Sequence, residues 1–275
     1  MDYFELSDTE FSLFSRLVYE KAGINLHEGK KELVRSRLSK RLRAKKMDRF
    51  KEYYKFLMAD ESGEEIIHML DAISTNLTSF FREPTHFSFL EQTAIPAVLA
   101  EKNTRNKHLR IWSAGCSSGE EPYTLSICLH EYAEAHPVLD FKILATDIST
   151  KMLSSAAGGV YHKSQVQTIK PPVLRKYFQR GQQRWADHFR LKPFVRKTIE
   201  FRRLNLMEPF PFNNHFQIIF CRNVMIYFDK EVQSRLVNKY YDCLEPGGFL
   251  FIGHSESLMG TTHRFKYVQP TIYQK

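Results

Sequence analysis

The sequence predicts an α/β protein in which an all-helical N-terminal domain, residues 1–75, precedes a mostly parallel β-sheet with helices on both faces. Before residue 75 the apolar residues recur at the spacing of amphipathic helices. After residue 80, short apolar runs typical of buried strands alternate with helical segments, which is the pattern of parallel sheets. At 275 residues, with 43% hydrophobic and 26% charged residues, the chain is long enough for one large and one smaller domain.

Four helices are predicted in the N-terminal domain. They begin at Ser7, at about residue 28, after Asp48 and at Ser62. Ser7 with Glu10, and Ser62 with Glu65, have the spacing of a capping box, and the first helix is expected to end near Lys21.

The net charge of +9 is concentrated in two segments. Residues 30–46 carry nine Lys or Arg against one Glu, and residues 160–203 carry twelve against two acidic residues. In the first segment Val34, Leu38 and Leu42 recur every four residues, so the cations of this helix are expected to face solvent or a partner. An acidic partner fits both segments, whether nucleic acid, an anionic membrane surface or a carboxylate-rich protein.

The sheet domain, residues 76–275, is predicted to alternate strands and helices. The strands are expected at 109–114, 141–146, 216–221 and 248–254, and the helices at about 84–102, 119–135, 149–157 and 230–243. Between residues 160 and 203, β-rich runs alternate with basic residues. We expect a small antiparallel insertion there, with its β-subdomain at about 180–203.

Composition argues against several other classes of protein. No apolar stretch approaches the roughly 20 residues needed to span a bilayer, and the acidic N-terminus is unlike a secretory signal. A cytoplasmic protein without membrane insertion is therefore expected. The four cysteines are widely spaced and the eleven histidines lack ligand spacing, so neither a disulfide framework nor a metal site is indicated.

Two neighbouring segments suggest a nucleotide-type ligand site. Residues 109–121, LRIWSAGCSSGEE, end a predicted strand in a turn of small residues whose backbone N–H groups can approach a ligand. Residues 141–149, FKILATDIS, end the next strand at Asp147, whose carboxylate can accept hydrogen bonds from two ribose hydroxyls. Because G-C-S-S-G differs from the dinucleotide pattern G-x-G-x-x-G, a structural tight turn is an alternative, as is a helix N-cap at Asp147.

Further polar motifs flank the predicted strands. The run STNLTSFFRE (74–83) precedes the sheet and contains Asn76, Thr78 and Arg82. The run IIFCRNVMIYF (218–228) places Arg222, Asn223 and Tyr227 just past a buried strand, and LEPGGFLFIGHSES (244–257) feeds the last one. Together with SAGCSSGEEPYT, ATDIS and the basic second helix, these motifs resemble the CheR family of chemotaxis receptor glutamate methyltransferases over essentially the whole chain.

The resemblance implies a class I Rossmann-like methyltransferase sheet that binds S-adenosylmethionine and releases S-adenosylhomocysteine. The cofactor contacts that it implies are Asn76, Thr78, Arg82, Glu121, Asp147, Asn205, Leu206, Arg222 and Asn223. Asp147 suits the ribose diol and Glu121 suits the methionine ammonium, with the adjacent Glu120 left open as the alternative. Asn205 offers an amide for the edge of the adenine, and Leu206 an apolar side chain for its ring face.

The reaction implied is methyl transfer to a glutamate side-chain oxygen. A glutamate is already ionised at pH 7, so no general base is needed. Arg82 would contact the carboxylate end of the cofactor or guide the substrate carboxylate, and Tyr227 would shape the transfer pocket. The alternatives are a surface ion pair of Arg82 with Glu83 and a core aromatic role for Tyr227.

The implied substrate is the glutamate-rich cytoplasmic helical bundle of chemotaxis receptors. Arg37, Lys40, Arg41 and Arg43 would complement its charge, although a basic helix face can also be simply solvated. In some members of the family the β-subdomain also docks a short peptide at the receptor C-terminus. The basic stretch 184–203 is the candidate here, by strand addition, and the sequence leaves open whether this chain shares that use.

Two other functions are compatible with parts of the sequence. A nucleic-acid methyltransferase would suit the positive charge, but the D/N-P-P-Y type tetrapeptide expected of an enzyme acting on a base nitrogen is absent around 218–228. A non-catalytic signalling module that only binds S-adenosylmethionine is the second alternative. Intact Arg82, Asp147 and Tyr227 argue against such a degenerate site.

Overall fold

The computed structural model describes residues 4–100, 107–137, 139–212 and 215–275. Within this part, the N-terminal region contains α1 (Asp8–Ala22), α2 (Lys31–Lys45), α3 (Phe50–Ala59) and α4 (Glu64–Ile73), with a 3₁₀ turn at Glu28–Lys30 before α2. The predicted capping box at Ser7 and Glu10 is confirmed, because each side chain accepts a hydrogen bond from the other residue's backbone N–H. The helices enclose their own apolar core, which includes the fully buried Phe14, Leu38 and Tyr53.

The second predicted capping box, at Ser62 and Glu65, is wrong. Helix α4 begins after Gly63, which has a φ of +68° and provides no side-chain cap. The Glu65 side chain is 2% exposed and accepts hydrogen bonds from Arg41 at 2.9 and 2.8 Å and from Tyr53 at 2.8 Å. A buried carboxylate needs such partners, and this requirement outweighs the smaller gain from capping.

The rest of the chain forms two sheets and their covering helices. The strands are β1 (Lys107–Ala114), β2 (Leu139–Asp147), β3 (Val160–His162), β4 (Phe178–Arg180), β5 (His188–Leu191), β6 (Ile199–Arg203), β7 (Phe216–Cys221), β8 (Leu244–Ile252), β9 (Lys266–Gln269) and β10 (Ile272–Gln274). The helices are α5 (Pro84–Phe89), α6 (Ile95–Ala100), α7 (Glu120–Ala135), α8 (Thr150–Gly158), α9 (Lys163–Val166), α10 (Pro171–Tyr177), α11 (Pro193–Arg196) and α12 (Lys230–Cys243).

The main sheet has seven strands in the order β6-β2-β1-β7-β8-β10-β9. The pairs from β6 to β8 are parallel, and β10 pairs antiparallel with both β8 and β9. All six residues of β7 are buried, as expected of a central strand covered on both faces. Neighbouring residues of β1 pack on opposite sides, Ile111 in one apolar core and Trp112 in the other. The predicted mostly parallel α/β sheet is confirmed.

The small antiparallel sheet lies elsewhere than predicted. Its strands, in the order β3-β5-β4, lie between residues 160 and 191, and not at about 180–203. Residues 199–203 form β6 of the main sheet, in parallel register with β2 from Ile143–Ile199 to Asp147–Arg203. An edge strand with one buried face has the same alternation of apolar and polar residues in the small sheet and in the main sheet. Only its pairing in the folded protein shows to which sheet it belongs.

Two predicted elements differ at their ends. The helix predicted over 84–102 consists of α5, a π-helical turn at Leu90–Ala94, and α6, and residues 101–102 lie outside the described residues. The strand predicted at 248–254 begins earlier, at Leu244, and ends at Ile252. No helix of the described chain is both long and apolar enough to span a bilayer.

Candidate functional site

A cavity lies at the carboxyl ends of β1, β2 and β7, where the loops that follow parallel strands meet. Residues from the N-terminal region, including Ile24, Asn25 and Leu33, form part of its wall. The ten residues predicted for the cofactor and the transfer pocket all line it: Asn76, Thr78, Arg82, Glu121, Asp147, Asn205, Leu206, Arg222, Asn223 and Tyr227.

The turn after β1 forms one wall of the cavity. Gly115, Ser117 and Gly119 have φ angles of +83°, +48° and +98°, in the region that glycine tolerates best. A Cβ at Gly115 would lie 2.4 Å from a methyl group of Val224, so this position has no room for a side chain. The Ser117 N–H donates to Asp147 Oδ2 at 2.8 Å, which joins the turn to the end of β2.

Asp147 is buried at the end of β2. Its second oxygen, Oδ1, accepts a hydrogen bond from the Ser149 N–H at 2.9 Å. The N-cap of α8 is Ser149, whose side chain accepts from the Met152 N–H, so Asp147 itself is not the cap. Burial raises the pKa of Asp147 against the opposing effect of its N–H donors. Each oxygen retains acceptor capacity for a ligand in the cavity that it lines.

The two adjacent glutamates at the start of α7 face different ways. Glu121 lines the cavity, and its Oε1 accepts from the Ser113 hydroxyl at 2.7 Å. Glu120 is 2% exposed and accepts from Ser118 and Gln165, the latter in the insertion that contains the small sheet. The geometry therefore favours Glu121 for a ligand contact.

Arg222 organises the floor of the cavity. Its guanidinium, 2% exposed, donates to Glu83 Oε2 at 2.9 and 3.2 Å, to Glu121 Oε2 at 3.0 Å and to the Arg82 carbonyl. Burial acts to raise the pKa of Glu83, but Arg222 outweighs it and the pKa is lowered. For Glu121 burial dominates and the pKa is raised in spite of Arg222. Glu121 is thus a carboxylate that gains from a further cation in the cavity.

Asn205 lines the cavity and also joins the sheet domain to the N-terminal helices. Its Nδ2 donates to the Lys21 carbonyl at 2.7 Å, at the end of α1, and its Oδ1 accepts from the Met207 N–H at 3.1 Å. The side-chain amide therefore ties the sheet domain to the N-terminal helices, and its Oδ1 retains a second acceptor lone pair. Leu206, which lines the cavity beside it, offers the apolar surface that was expected.

The segment between the two domains and the loop after β7 complete the wall. The Asn76 carbonyl accepts from the Ser117 hydroxyl at 3.0 Å, which fixes this segment against the turn after β1. Among bonds within the described chain, the Arg82 guanidinium makes one, to the Leu77 carbonyl at 3.0 Å. Tyr227 is half-buried at the cavity wall, and its carbonyl accepts from the Asn25 N–H at 2.8 Å. Tyr227 is therefore not a core aromatic.

Family comparison agrees with this division of the chain. Residues 76–274 match the model of the CheR methyltransferase SAM-binding domain, and residues 9–74 match that of the CheR methyltransferase all-alpha domain. The chain belongs to the CheR methyltransferase family. It is a methyltransferase that uses S-adenosylmethionine, and the matched SAM-binding region contains all ten cavity residues predicted above.

Curated relatives match over almost their full length. The chain is 43% identical over 274 residues to the chemotaxis protein methyltransferase of Borreliella burgdorferi, covering 98% of this chain and 95% of that protein. It is 37% identical over 269 residues to the chemotaxis protein methyltransferase of Salmonella typhimurium, covering 98% and 90%. The chemotaxis protein methyltransferase of Escherichia coli is 35% identical over 269 residues, covering 98% and 91%.

The basic helix α2 contributes Leu33 to the cavity wall, and the four cations predicted to bind the substrate differ in their contacts. Arg41 is bound to Glu65, and Arg37 donates to carbonyls at the end of α4 and to Thr75 Oγ1. The expectation that Arg37 meets only solvent or a partner is therefore wrong, because unpaired carbonyls at a helix end attract a nearby cation. Lys40 is exposed, and Arg43 is exposed with its guanidinium 5.4 Å from the centre of the Phe4 ring.

Sequence reasoning missed two carboxylates that support the CheR cavity, Glu83 and Glu256. Glu83 was considered only as a surface partner of Arg82, whereas it is the main partner of Arg222. Glu256 is buried beside the loop after β7. Their positions could have indicated a role, because both lie in polar motifs that flank buried strands. Their partners could not be found in this way, because these lie far away along the chain.

One group in the described residues has the composition of a cation site: Glu83, His86 and His254 offer ligand atoms within 4.8 Å of one another. Arg222 already occupies the Glu83 carboxylate, and burial together with Arg222 lowers the pKa of His86 to about 4. A metal ion would have to compete with that guanidinium. We therefore assign this group to the support of Arg222.

Proposed function

We propose that this chain methylates glutamate side chains on the cytoplasmic helical bundle of chemotaxis receptors and produces glutamate methyl esters. Its relatives are named chemotaxis protein methyltransferases. The observation that carries the choice of acceptor is the charge of the cavity wall. Three cations, Lys30, Arg82 and Arg222, line it, whereas no histidine of the described chain does. Arg222 is already paired with Glu83 and Glu121, which leaves Lys30 and Arg82 to attract an anionic acceptor.

The donors and acceptors of the cavity fit S-adenosylmethionine. Asp147 would hold the ribose hydroxyls, and Glu121 the methionine ammonium, whose charge would compensate a buried carboxylate with a raised pKa. Leu206 would cover a face of the adenine, and Asn76 and Thr78 would border the nucleoside from the interdomain segment. Arg222 would act mainly by orienting Glu121, to which it is bound at 3.0 Å.

A methyl acceptor that already carries a negative charge suits the cations of the cavity wall. The bound cofactor supplies a methyl group on a positively charged sulfur. A glutamate carboxylate is ionised at pH 7, so the protein has no proton to remove, whereas a neutral hydroxyl or amide acceptor would call for a general base. Arg82, with most of its guanidinium donors uncommitted among the described residues, would attract and orient the carboxylate.

Positioning is then the main contribution of the protein to the rate. Holding acceptor and donor in line can contribute about 7–11 kcal/mol to the lowering of a barrier. Tyr227, half-buried on the loop after β7, would shape the pocket next to the transferred group, and Asn223 would border it. Neither residue has to gain or lose a proton.

The receptor would dock on the exposed part of α2. Lys40 and Arg43 would contact receptor carboxylates, while Arg37 and Arg41, which bind α4 and Glu65, would chiefly orient the helix. Electrostatic attraction of this kind raises association rates and weakens with salt.

A second contact is proposed for the small sheet. In the order β3-β5-β4, β4 is an edge strand, and its register with β5 leaves the backbone groups of Arg180 directed outward. The Phe178 N–H already donates to the Leu174 carbonyl in α10. Trp185 is 49% exposed nearby in sequence, with the Arg184 guanidinium 5.8 Å from its ring centre. An extended receptor C-terminal peptide with acidic residues would fit by strand addition.

The proposed activity is tested with purified protein, S-adenosylmethionine labelled in the methyl group, and a receptor cytoplasmic fragment. We expect label in the fragment that is released by mild base, as for a carboxylic ester. A fragment with its candidate glutamates changed to glutamine is the matched control. Label that survives base, or that enters RNA or DNA in a parallel reaction, would contradict the proposal.

A further inference from the structure

The loop after β7 is held by a residue that does not line the cavity. Residues 222–227 carry Arg222, Asn223 and Tyr227, all of which line the cavity. The loop has an irregular backbone, with a φ of +59° at Asn223 and a 3₁₀ turn at Met225–Tyr227. Such a segment has no regular hydrogen-bonding partner and needs one from outside.

Glu256, in the turn that follows β8, supplies that partner. Its Oε2 accepts from the Asn223 N–H at 2.9 Å and from the Gly253 N–H at 2.6 Å, and its Oε1 accepts from the Ile226 N–H at 3.2 Å. One carboxylate therefore joins the loop after β7 to the loop after β8. A Cβ at Gly253 would lie 2.6 Å from Asn223 Nδ2, so the two loops are also in close contact.

Glu256 occupies a buried position, where an ionised side chain is energetically unfavourable. Glu256 is 8% exposed, and burial raises its pKa although its backbone N–H donors act in the opposite direction. A buried carboxylate without a cation destabilises the fold relative to a neutral residue. The three backbone N–H donors offset part of this cost, and the single oxygen of a neutral amide could not accept from all three.

We infer that Glu256 is a positioning residue for methyl transfer: it holds the loop 222–227 so that Asn223 and Tyr227 keep their places on the cavity wall. The inference rests on the proposed function above for the step that is measured. Asp147 is supported by Ser117 and Ser149, which lie outside the loop, and Glu121 is held by Ser113 as well as by Arg222. Most of the cofactor contact therefore depends on the loop only through Arg222 and Asn223. A loosened loop should therefore affect turnover more than cofactor affinity.

The test is Glu256→Gln, which keeps the size of the side chain but turns an NH₂ group toward backbone N–H donors. The control is Asp242→Asn, the same change of charge at the end of α12, where Asp242 is 66% exposed. We expect kcat on the receptor fragment to fall about 10- to 100-fold, the scale of a misplacement near 1 Å, and the Kd for S-adenosylhomocysteine to change less than about fivefold. The control should leave both unchanged.

Amide hydrogen exchange measured with bound S-adenosylhomocysteine distinguishes a local loosening of the loop 222–227 from a general destabilisation of the protein. In Glu256→Gln, exchange should accelerate at Asn223, Ile226 and Gly253 and stay unchanged in β2 and α12. Unchanged exchange at these amides, or wild-type kcat, would overturn the inference, as would faster exchange throughout the protein together with lost cofactor binding. If wild-type protein binds S-adenosylhomocysteine but labels no receptor fragment, the proposed function fails. The amide exchange of the loop and the Kd for S-adenosylhomocysteine then still test whether Glu256 holds the loop.

Discussion

Arg222→Met should destabilise the protein strongly, because it removes the cation shared by two buried carboxylates. The variant keeps the length of the side chain but removes both hydrogen bonds to Glu83, the one to Glu121 and the one to the Arg82 carbonyl. Arg222 is 2% exposed and the two carboxylates 11% and 12%, so solvent screens these contacts little. Removing one partner of such a buried pair costs about 3–5 kcal/mol.

The expected change in thermal unfolding follows from that figure. For a chain of this size roughly 2–4 °C is lost per kcal/mol, which gives a decrease in Tm of about 6–20 °C at neutral pH. Glu121, whose pKa is already raised, can take up a proton in the variant, so the decrease in Tm should lie toward the lower end of this range. Arg235→Met is the matched control: its pair with Glu231 is 62% and 78% exposed, so its Tm should hardly move.

The pH dependence separates charge from packing. Arg222 lowers the pKa of Glu83 below its ordinary value of 4.5. The stability that Glu83 contributes is therefore fully present above pH 4.5 and is lost as the pH falls through the lowered pKa of the folded protein. The Tm difference between wild type and Arg222→Met should therefore be largest at neutral pH and shrink in acid. A difference that keeps the same size from neutral pH into acid in which Glu83 is protonated would mean that lost packing, and not charge, destabilises the variant.

Three further outcomes are expected. Asp147→Ala should weaken binding of S-adenosylhomocysteine about 10- to 100-fold by calorimetry, the scale of a lost charged acceptor, and wild-type affinity should decline in acid because burial raises the Asp147 pKa. Lys40→Ala should raise the receptor KM, with cofactor affinity unchanged, whereas Arg41→Ala should lower Tm because the buried Glu65 loses one of its two cations and keeps only Lys45. The reverse pattern would contradict the division of α2. Gly115→Ala should abolish cofactor binding, and normal binding would show that the turn tolerates a Cβ.

The sequence predicted the parts of the site that depend on strand order. Asp147 and Arg222 each follow an apolar run, and carboxyl ends of parallel strands converge whatever the details of packing. Helical periodicity likewise placed Val34, Leu38 and Leu42 in the N-terminal core.

What the sequence could not provide were partners that lie far apart along the chain. A helical wheel shows that Arg41 is on a polar face but not that Glu65, 24 residues later, lies opposite it. The same limit applies to the Asn205 amide, whose acceptor is 184 residues away, and to β6, which has the alternation of a hairpin strand but pairs with β2. Each of these depends on tertiary contact, which overrides local pattern.

The shared wall of the cavity links the N-terminal helices to cofactor affinity. Asn25 and Lys21 are bound to Tyr227 and Asn205, and the segment around Ile24 faces the cavity directly. By thermodynamic reciprocity, if a partner bound to the helical domain changes cofactor affinity, the cofactor changes the affinity for that partner by the same factor. A chimera that replaces the helical domain would therefore also replace part of the cavity wall, and under the proposed placement of the cofactor it would have to restore that wall as well.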